Sequence, residues 1–216
     1  MTQSQNMEPG GLSDRIATRA RLAGTCIDGP LADSLARYLA LLIRWNERMN
    51  LTALTDDDEG LDRLVVEPLM AAARLPAGEL RVIDIGSGGG SPAVPMRLAR
   101  ADVRLRMVES KTRKAAFLRE AVRHLGLART EVDACRYEDL PGRLGEADRA
   151  DVVTVRAVRL DEAGFSSLAR LLDERGRVFL FEGERTGREG GADFELEGSF
   201  PLVEGLRSRL SVLRRR

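Results

Sequence analysis

Two acidic residues, Asp84 and Glu109, stand on either side of the run Gly86-Ser87-Gly88-Gly89-Gly90, and this is where the chain's chemical potential is concentrated. Glycine has no Cβ, so such a run admits positive φ and lets a ligand lie directly against the main chain. Asp84 belongs to the apolar run LRVIDI (80–85) that feeds the loop, where it meets a ligand ammonium or steadies the turn. Glu109 follows the loop by about 20 residues, the spacing at which a carboxylate accepts from both hydroxyls of a ribose. The spacing is G-x-G-x-G rather than the G-x-G-x-x-G of a dinucleotide site. Pro92 and Pro95 follow at once, and a proline offers no N–H to a diphosphate at a helix start. The competing reading is a glycine-rich turn that binds nothing.

The elements that must hold these residues can be read from periodicity. Residues 1–11 are polar and expected to be a flexible N-terminus. A short helical pattern runs from Leu12 to about Ala23. A stronger one follows in PLADSLARYLALLIRWNERM, where Leu31, Leu35, Tyr38, Leu39, Leu42, Trp45 and Met49 recur at three- and four-residue steps after Pro30. LDRLVVEPLMAAARL reads as another helix, interrupted at Pro68. Residues 12–75 are thus expected to form an N-terminal helical extension. From residue 76 to 216 strands alternate with helices: strands at 80–85, 103–110, 130–135, 150–158 and 176–183, and helices at 92–100, 113–127 and 161–174. The end, ADFELEGSF and GLRSRLSVLRR, reads as a hairpin. That rhythm predicts an α/β fold with a mostly parallel sheet and an antiparallel C-terminal edge. In such a sheet the ligand lies beyond the strands' C-terminal ends, where the glycine loop falls.

The totals exclude several classes. At 216 residues, 43% hydrophobic and 31% charged, the chain fits one globular domain with an appendage. It has no apolar stretch of the roughly 18–20 residues that span a bilayer, nor the basic and apolar start of a secretory signal, so a cytoplasmic protein is expected. One histidine, His124, and two distant cysteines, Cys26 and Cys135, assemble no metal site, and a reduced pair is expected. Acidic and basic residues balance at 34 each, so net charge does not argue for nucleic acid, although the chain ends in the basic cluster GLRSRLSVLRRR. Trp45 reads as core, His124 as surface, Cys135 as packing, and TDDDEG as a solvated turn and helix start.

Loop, strand and Glu109 together are the pattern of Rossmann-like class I methyltransferases, which bind S-adenosyl-L-methionine. From about residue 31 to 183 the chain also resembles one family, the bacterial 16S rRNA guanine-N(7) methyltransferases, also called glucose-inhibited division protein B. NLTAL (50–54) matches its signature after the N-terminal helices, and DIGSGGGSPAVP resembles its glycine loop. VESKTRKAAFLREAV is similar to its second strand and helix, CRYEDL (135–140) to the segment beside the adenine, and TVRAV (154–158) to its Arg-Ala motif. The resemblance implies a cofactor site made of Asp84, Gly86, Ser87, Gly88, Gly90, Glu109, Ser110, Arg136, Tyr137, Glu138 and Arg156. It also implies that Arg156 is catalytic and that the partner is 16S rRNA or the 30S subunit; no metal is expected from the residue inventory, and the oligomeric state is left unresolved, with a monomer favoured. The chain departs from the pattern at Glu67 (a histidine in the family), at Met70 and Ala71 (Asp-Ser), at Glu182 (a lysine) and at Ser91 (an aromatic residue). The proline- and arginine-rich tail of the family is also missing. These departures keep open a divergent member with another substrate, or a non-catalytic protein that binds cofactor or RNA.

Guanine N(7) carries a free lone pair and loses no proton on methylation, so its transfer chemistry needs no general base. What helps is holding donor and acceptor in register. A guanidinium gripping both O6 and N(7) would block the nucleophile, so Arg156 is expected to hold O6 or a phosphate. Its plainer alternative is a structural ion pair with Glu182.

Overall fold

The computed structural model describes residues 9–53, 57–183 and 191–216, so the expected loose residues 1–8 fall outside it. Helix α1 (Pro9–Leu22) starts three residues ahead of the periodicity, and residues 9–11, expected to be loose, form its first turn. A proline in a first turn costs no hydrogen bond. Helix α2 (Gly29–Met49) is capped by Asp28, whose side chain accepts from Leu31 N at 2.9 Å, a contact typically worth about 1 kcal/mol. It ends at Asn50, which takes a left-handed φ of 49°. Its stripe of Leu35, Tyr38, Leu39 and Leu42 is buried, and Trp45 packs edge-on against Phe117 at 5.7 Å.

The third helical stretch is not broken at Pro68. It runs as α3 (Asp58–Leu61), a π-helical turn (Asp62–Val66) and α4 (Glu67–Ala72). In the π turn the Glu67 N–H reaches back five residues to Asp62 O. The next nitrogen belongs to Pro68 and has no hydrogen to give, so the carbonyls of Arg63 and Leu64 are released toward other partners. Asp62 itself is buried and bound through both oxygens by Arg19 of α1, which fixes the turn against the rest of the helical layer.

The strands are β1 (Leu80–Ile85), β2 (Val103–Val108), β3 (Thr130–Asp133), β4 (Ala150–Arg156), β5 (Leu172–Glu182), β6 (Phe194–Pro201) and β7 (Arg209–Arg215). They form one sheet in the order β3-β2-β1-β4-β5-β7-β6, parallel through β5, with β7 antiparallel to both neighbours. The remaining helices are α5 (Ala93–Ala99), α6 (Thr112–Leu125) and α7 (Glu162–Leu171). The chain steps outward one way from β1 to β3 and the other way from β4 to β5. Right-handed crossovers then put α5 and α6 on one face and α7 on the other, and open a crevice between β1 and β4.

Side-chain alternation sorts the core accordingly. Val82, Leu105, Met107, Val152, Phe179 and Val212 lie beneath α1, α2, α4, α5 and α6. Ile83, Ile85, Val153, Val155, Val178 and Leu180 face α7 and Leu140. The N-terminal helices therefore share a continuous core with the sheet. Strands β2, β3 and β4 end at Val108, Asp133 and Arg156, two residues short of expectation, and α7 stops at Leu171 with β5 beginning at Leu172, where helix was expected to residue 174. Leu172 pairs with Ala150, and after a bulge the pairing resumes at Val152 and Arg177. Sheet pairing and full burial of Leu172 thus override a helical pattern that could have continued.

Candidate active site

The glycine loop is tied down before it meets any ligand. Gly86 N and Ser87 N both donate to Val108 O, at 2.8 and 3.1 Å, and Gly90 N closes a turn onto Ser87 O at 2.6 Å. Gly86 has φ of 67°, and a Cβ there would stand 2.5 Å from Val158 Cγ2, so this position admits only glycine without movement. Gly88 is different. Its φ is 50°, but a Cβ there would find no protein atom nearer than Gly86 O at 3.6 Å. The space over Gly88 takes a Cβ in ordinary contact with Gly86 O, Leu51 O and Lys114 Nζ. It belongs to a cleft of about 370 Å³, bounded by Leu51, Thr52, Gly88, Glu109, Lys114 and Arg156, a volume typical of small-molecule sites.

The helical layer supplies the opposite wall. Asn46 Oδ1 accepts from Thr52 N at 2.9 Å, which folds the NLT segment back over the loop. Tyr38, buried on α2, donates its hydroxyl to Gly89 O at 2.7 Å. Its periodicity marks it as core, and its polar tip reaches the loop as well.

Glu109 is buried at the end of β2, with Oε2 accepting from Gly88 N at 3.0 Å and Oε1 from Lys111 N at 2.8 Å. A carboxylate offers about four lone-pair sites, so both oxygens retain capacity for a pair of hydroxyls. Asp84 is 1% exposed; Oδ1 accepts from Thr154 Oγ1 at 2.6 Å, while Oδ2 is buried without a partner. Burial raises its pKa to about 6, against the opposing pull of the nearby Ser87 hydroxyl, which donates to Asp84 O, of the Thr154 bond and of the Arg156 charge, with Glu109 adding to the rise. An orphaned carboxylate oxygen is a costly feature that an arriving cation would satisfy.

Arg156 leaves the end of β4 on the same face as Asp84 and Thr154. Ala157 follows it with φ of 56°, a strained value for a residue with a side chain. The guanidinium turns back toward the π turn, where Nη1 donates to Arg63 O at 2.6 Å and faces Ser91 Oγ at 3.5 Å, while Nη2 pairs with Glu67. Ser91 Oγ in turn donates to Leu64 O at 2.9 Å, so both released carbonyls are taken. The ring of Phe181 lies 5.3 Å from the guanidinium carbon. Glu182, the partner expected if Arg156 were structural, instead accepts from Ser211 Oγ at 2.6 Å. The ion pair exists, but with Glu67.

Of the residues expected at the site, the structure gathers Gly86, Ser87, Gly88, Glu109 and Arg156 around the cleft, with Asp84 beneath it and Gly90 closing the loop. Ser110, Arg136, Tyr137 and Glu138 stand at the same rim, beyond β2 and β3, but not on the cleft's walls. Tyr137 turns to the other face, its hydroxyl beside Gly164 of α7. Sequence reading missed Thr154, whose only signal is a hydroxyl inside the apolar run VVTV, and the Leu51–Ala53 wall. His124 is exposed on α6 and Cys135 is buried, as expected of each. Among the described residues no group of three or more His, Cys, Asp or Glu gathers as for a metal, and no helix is long and apolar enough to cross a membrane.

Sheet order, glycine loop and paired carboxylates define a class I methyltransferase fold. Solved structures agree at the level of fold: the mitomycin 7-O-methyltransferase MmcR matches 98% of this chain and 70% of its own at a TM-score of 0.61 and 18% identity. TrmN from Thermus thermophilus matches 68% of this chain and 48% of its own at a TM-score of 0.55 and 19% identity. Sequence goes further, because residues 31–195 match the family model GidB, rRNA small subunit methyltransferase G. The ribosomal RNA small subunit methyltransferase G of Syntrophotalea carbinolica is 32% identical over 80% of this chain and 78% of its own length. That of Sorangium cellulosum is 37% identical over 84% and 74%. The chain belongs to the rRNA small subunit methyltransferase G family. Membership carries S-adenosylmethionine as cofactor and rRNA methylation as activity, and the cleft over Gly88 and the orphaned Asp84 oxygen fit that cofactor.

Affinity for the cofactor should depend on pH through Asp84. Only the carboxylate attracts an ammonium, and burial makes this group take up a proton near pH 6 rather than near 4. If Asp84 meets the ammonium, binding should be near full about one unit above pH 6, about half of that at pH 6, and about tenfold weaker at pH 5. The sign for the ligand-free fold is opposite, since a raised carboxyl pKa costs it stability as pH rises from about 4 to 6. Calorimetric titration across this range, with Asp84→Asn flattening the profile, checks the assignment; a parent profile flat from pH 5 to 7 would refute it.

Proposed function

We propose that this protein transfers a methyl group from S-adenosylmethionine to N(7) of a guanine in 16S rRNA, within the cleft over Gly88. The observation that carries this reading is the cleft over Gly88 with Glu109 and the anchored Arg156 on its walls, in a chain of this family. When bound, the cofactor supplies an electrophilic methyl group on a positively charged sulfur. Glu109 accepts from the ribose hydroxyls, and Asp84 Oδ2 meets the ammonium. Ser110, Arg136 and Glu138 border the adenine at the β2–β3 rim, while Tyr137, expected with them, faces α7. Arg156 would hold the guanine by O6 or an adjacent phosphate, leaving the N(7) lone pair free to accept the methyl group the bound cofactor would supply. The methyl group and its positive charge pass to the base, and no proton has to move. A cleft without a histidine suffices for this chemistry.

The residues from 12 to 75 act as a helical extension of the domain formed by 76–216, covering the loop and building the guanine side of the cleft. The acting species is a monomer in the cytoplasm, meeting the rRNA in the 30S subunit. The reading is tested by mass spectrometry of 16S rRNA from cells with and without the gene. Loss of one methylguanosine is expected, and unchanged rRNA would remove the proposal.

Glu109 carries a quantitative expectation. Glu109→Ala should weaken cofactor binding by roughly 1.5–3 kcal/mol, the scale of hydrogen bonds to a charged group, and Glu109→Asp should keep part of it. Titration of the folded variants decides, and parent-like affinity in both would place the ribose elsewhere.

A further inference from the structure

Resting on the reading above, we propose that Glu67 is a positioning residue for methyl transfer, acting through Arg156. Glu67 is 1% exposed while the Arg156 side chain is 19% exposed, so the carboxylate stands behind the arginine and the arginine faces the cleft. An arginine has five N–H donors. Arg63 O, Ser91 Oγ and Glu67 take three of them, which leaves Nε–H and one Nη2 proton without a partner among the described residues. With Phe181 lying against the group, the guanidinium plane is fixed and its remaining donors are the part left to a substrate.

Pairing also settles a charge conflict. A lone guanidinium in this cleft would oppose both the sulfonium and the positive charge that appears on the base. Held against Glu67, Arg156 presents hydrogen-bond donors with little net charge. The arrangement has a visible cost, since Glu67 Oε1 is buried with no partner. It also ties three separate features into one device: the π turn that releases the Arg63 and Leu64 carbonyls, the serine at 91 and the acid at 67.

The test uses the full chain, 30S subunits and S-adenosylmethionine. Glu67→Gln keeps the volume and one oxygen acceptor but removes the charge; Glu67→Asp keeps the charge and shortens the reach. Each should lower the single-turnover rate, Glu67→Gln by about 10²-fold as expected for a misplaced contact, with cofactor affinity and KM for the subunit near the parent's. In an Arg156→Ala background, Glu67→Gln should slow transfer no further. A full, independent loss there, or parent-like rates in both single variants, would overturn the proposal. A readout without catalysis accompanies it. In the parent, the Arg156 guanidinium protons should give separate, slowly exchanging nuclear magnetic resonance signals that collapse in Glu67→Gln. Unchanged signals would overturn the positioning role even if the parent methylated nothing, an outcome that would instead remove the function proposed above.

Discussion

Gly88→Val should abolish detectable binding of S-adenosylmethionine. Two effects act together. At φ of 50° a β-branched residue is a severe outlier, and its Cβ would already touch Gly86 O at 3.6 Å and Leu51 O and Lys114 Nζ at 4.0 Å, on the side of the cleft. The new side chain therefore occupies the volume a ligand would take. Gly88→Ala separates the two effects, because its single methyl group meets nothing nearer than 3.6 Å. A left-handed alanine costs roughly 1–2 kcal/mol of stability, so this variant should fold and bind with intermediate affinity. Titration calorimetry beside thermal melting distinguishes a blocked site from a damaged fold. Undiminished affinity in Gly88→Val would show that the loop is not where the cofactor lies.

Arg156→Ala should reduce methyl transfer to 30S subunits by about 10²–10³-fold, the scale seen when one aligned donor is removed from a reacting centre. Cofactor affinity should stay near the parent's, since the arginine is assigned to the base or its phosphate. Melting temperature should fall as well, because removing one member of a buried pair leaves Glu67 charged and unmatched. Arg156→Lys resolves that ambiguity. Its ammonium still answers Glu67, so the fold should hold, but it lacks the planar fork that engages Arg63 O, Glu67 and a base at once. Transfer should remain low in the lysine variant while stability recovers. Normal turnover by the alanine variant would defeat the role given to Arg156.

What could be read in advance follows from how local each signal is. The loop, β1 and Glu109 were legible because strand periodicity, glycine spacing and the turn onto β2 all lie within about 30 residues, the scale of one strand–helix–strand unit. Arg156 was legible as a polar residue closing an apolar strand, but its partner was not. Glu67 is 89 positions away and is brought to it only by a π turn that no periodicity announces. The same limit explains Pro68, which reads as a helix breaker and sits inside a continuous helix because its missing hydrogen bond is absorbed by the irregular turn. Tyr38 shows the reverse case, a residue correctly placed in the core by its spacing whose hydroxyl does a second task across 51 residues. The early start of β5 was hidden because Leu172 satisfies the helical pattern and the strand equally well.

The bond from Tyr38 to Gly89 ties the helical layer to the loop. A ligand that binds only the closed loop lowers the population of every state in which α2 has swung away, by about 2.7 kcal/mol at a hundredfold excess over its Kd. Saturation with cofactor should therefore slow exchange of the α2 amide protons. A substitution on the outer surface of α2 that eases its opening would hasten exchange of the spent cofactor for a fresh one without touching any residue of the cleft.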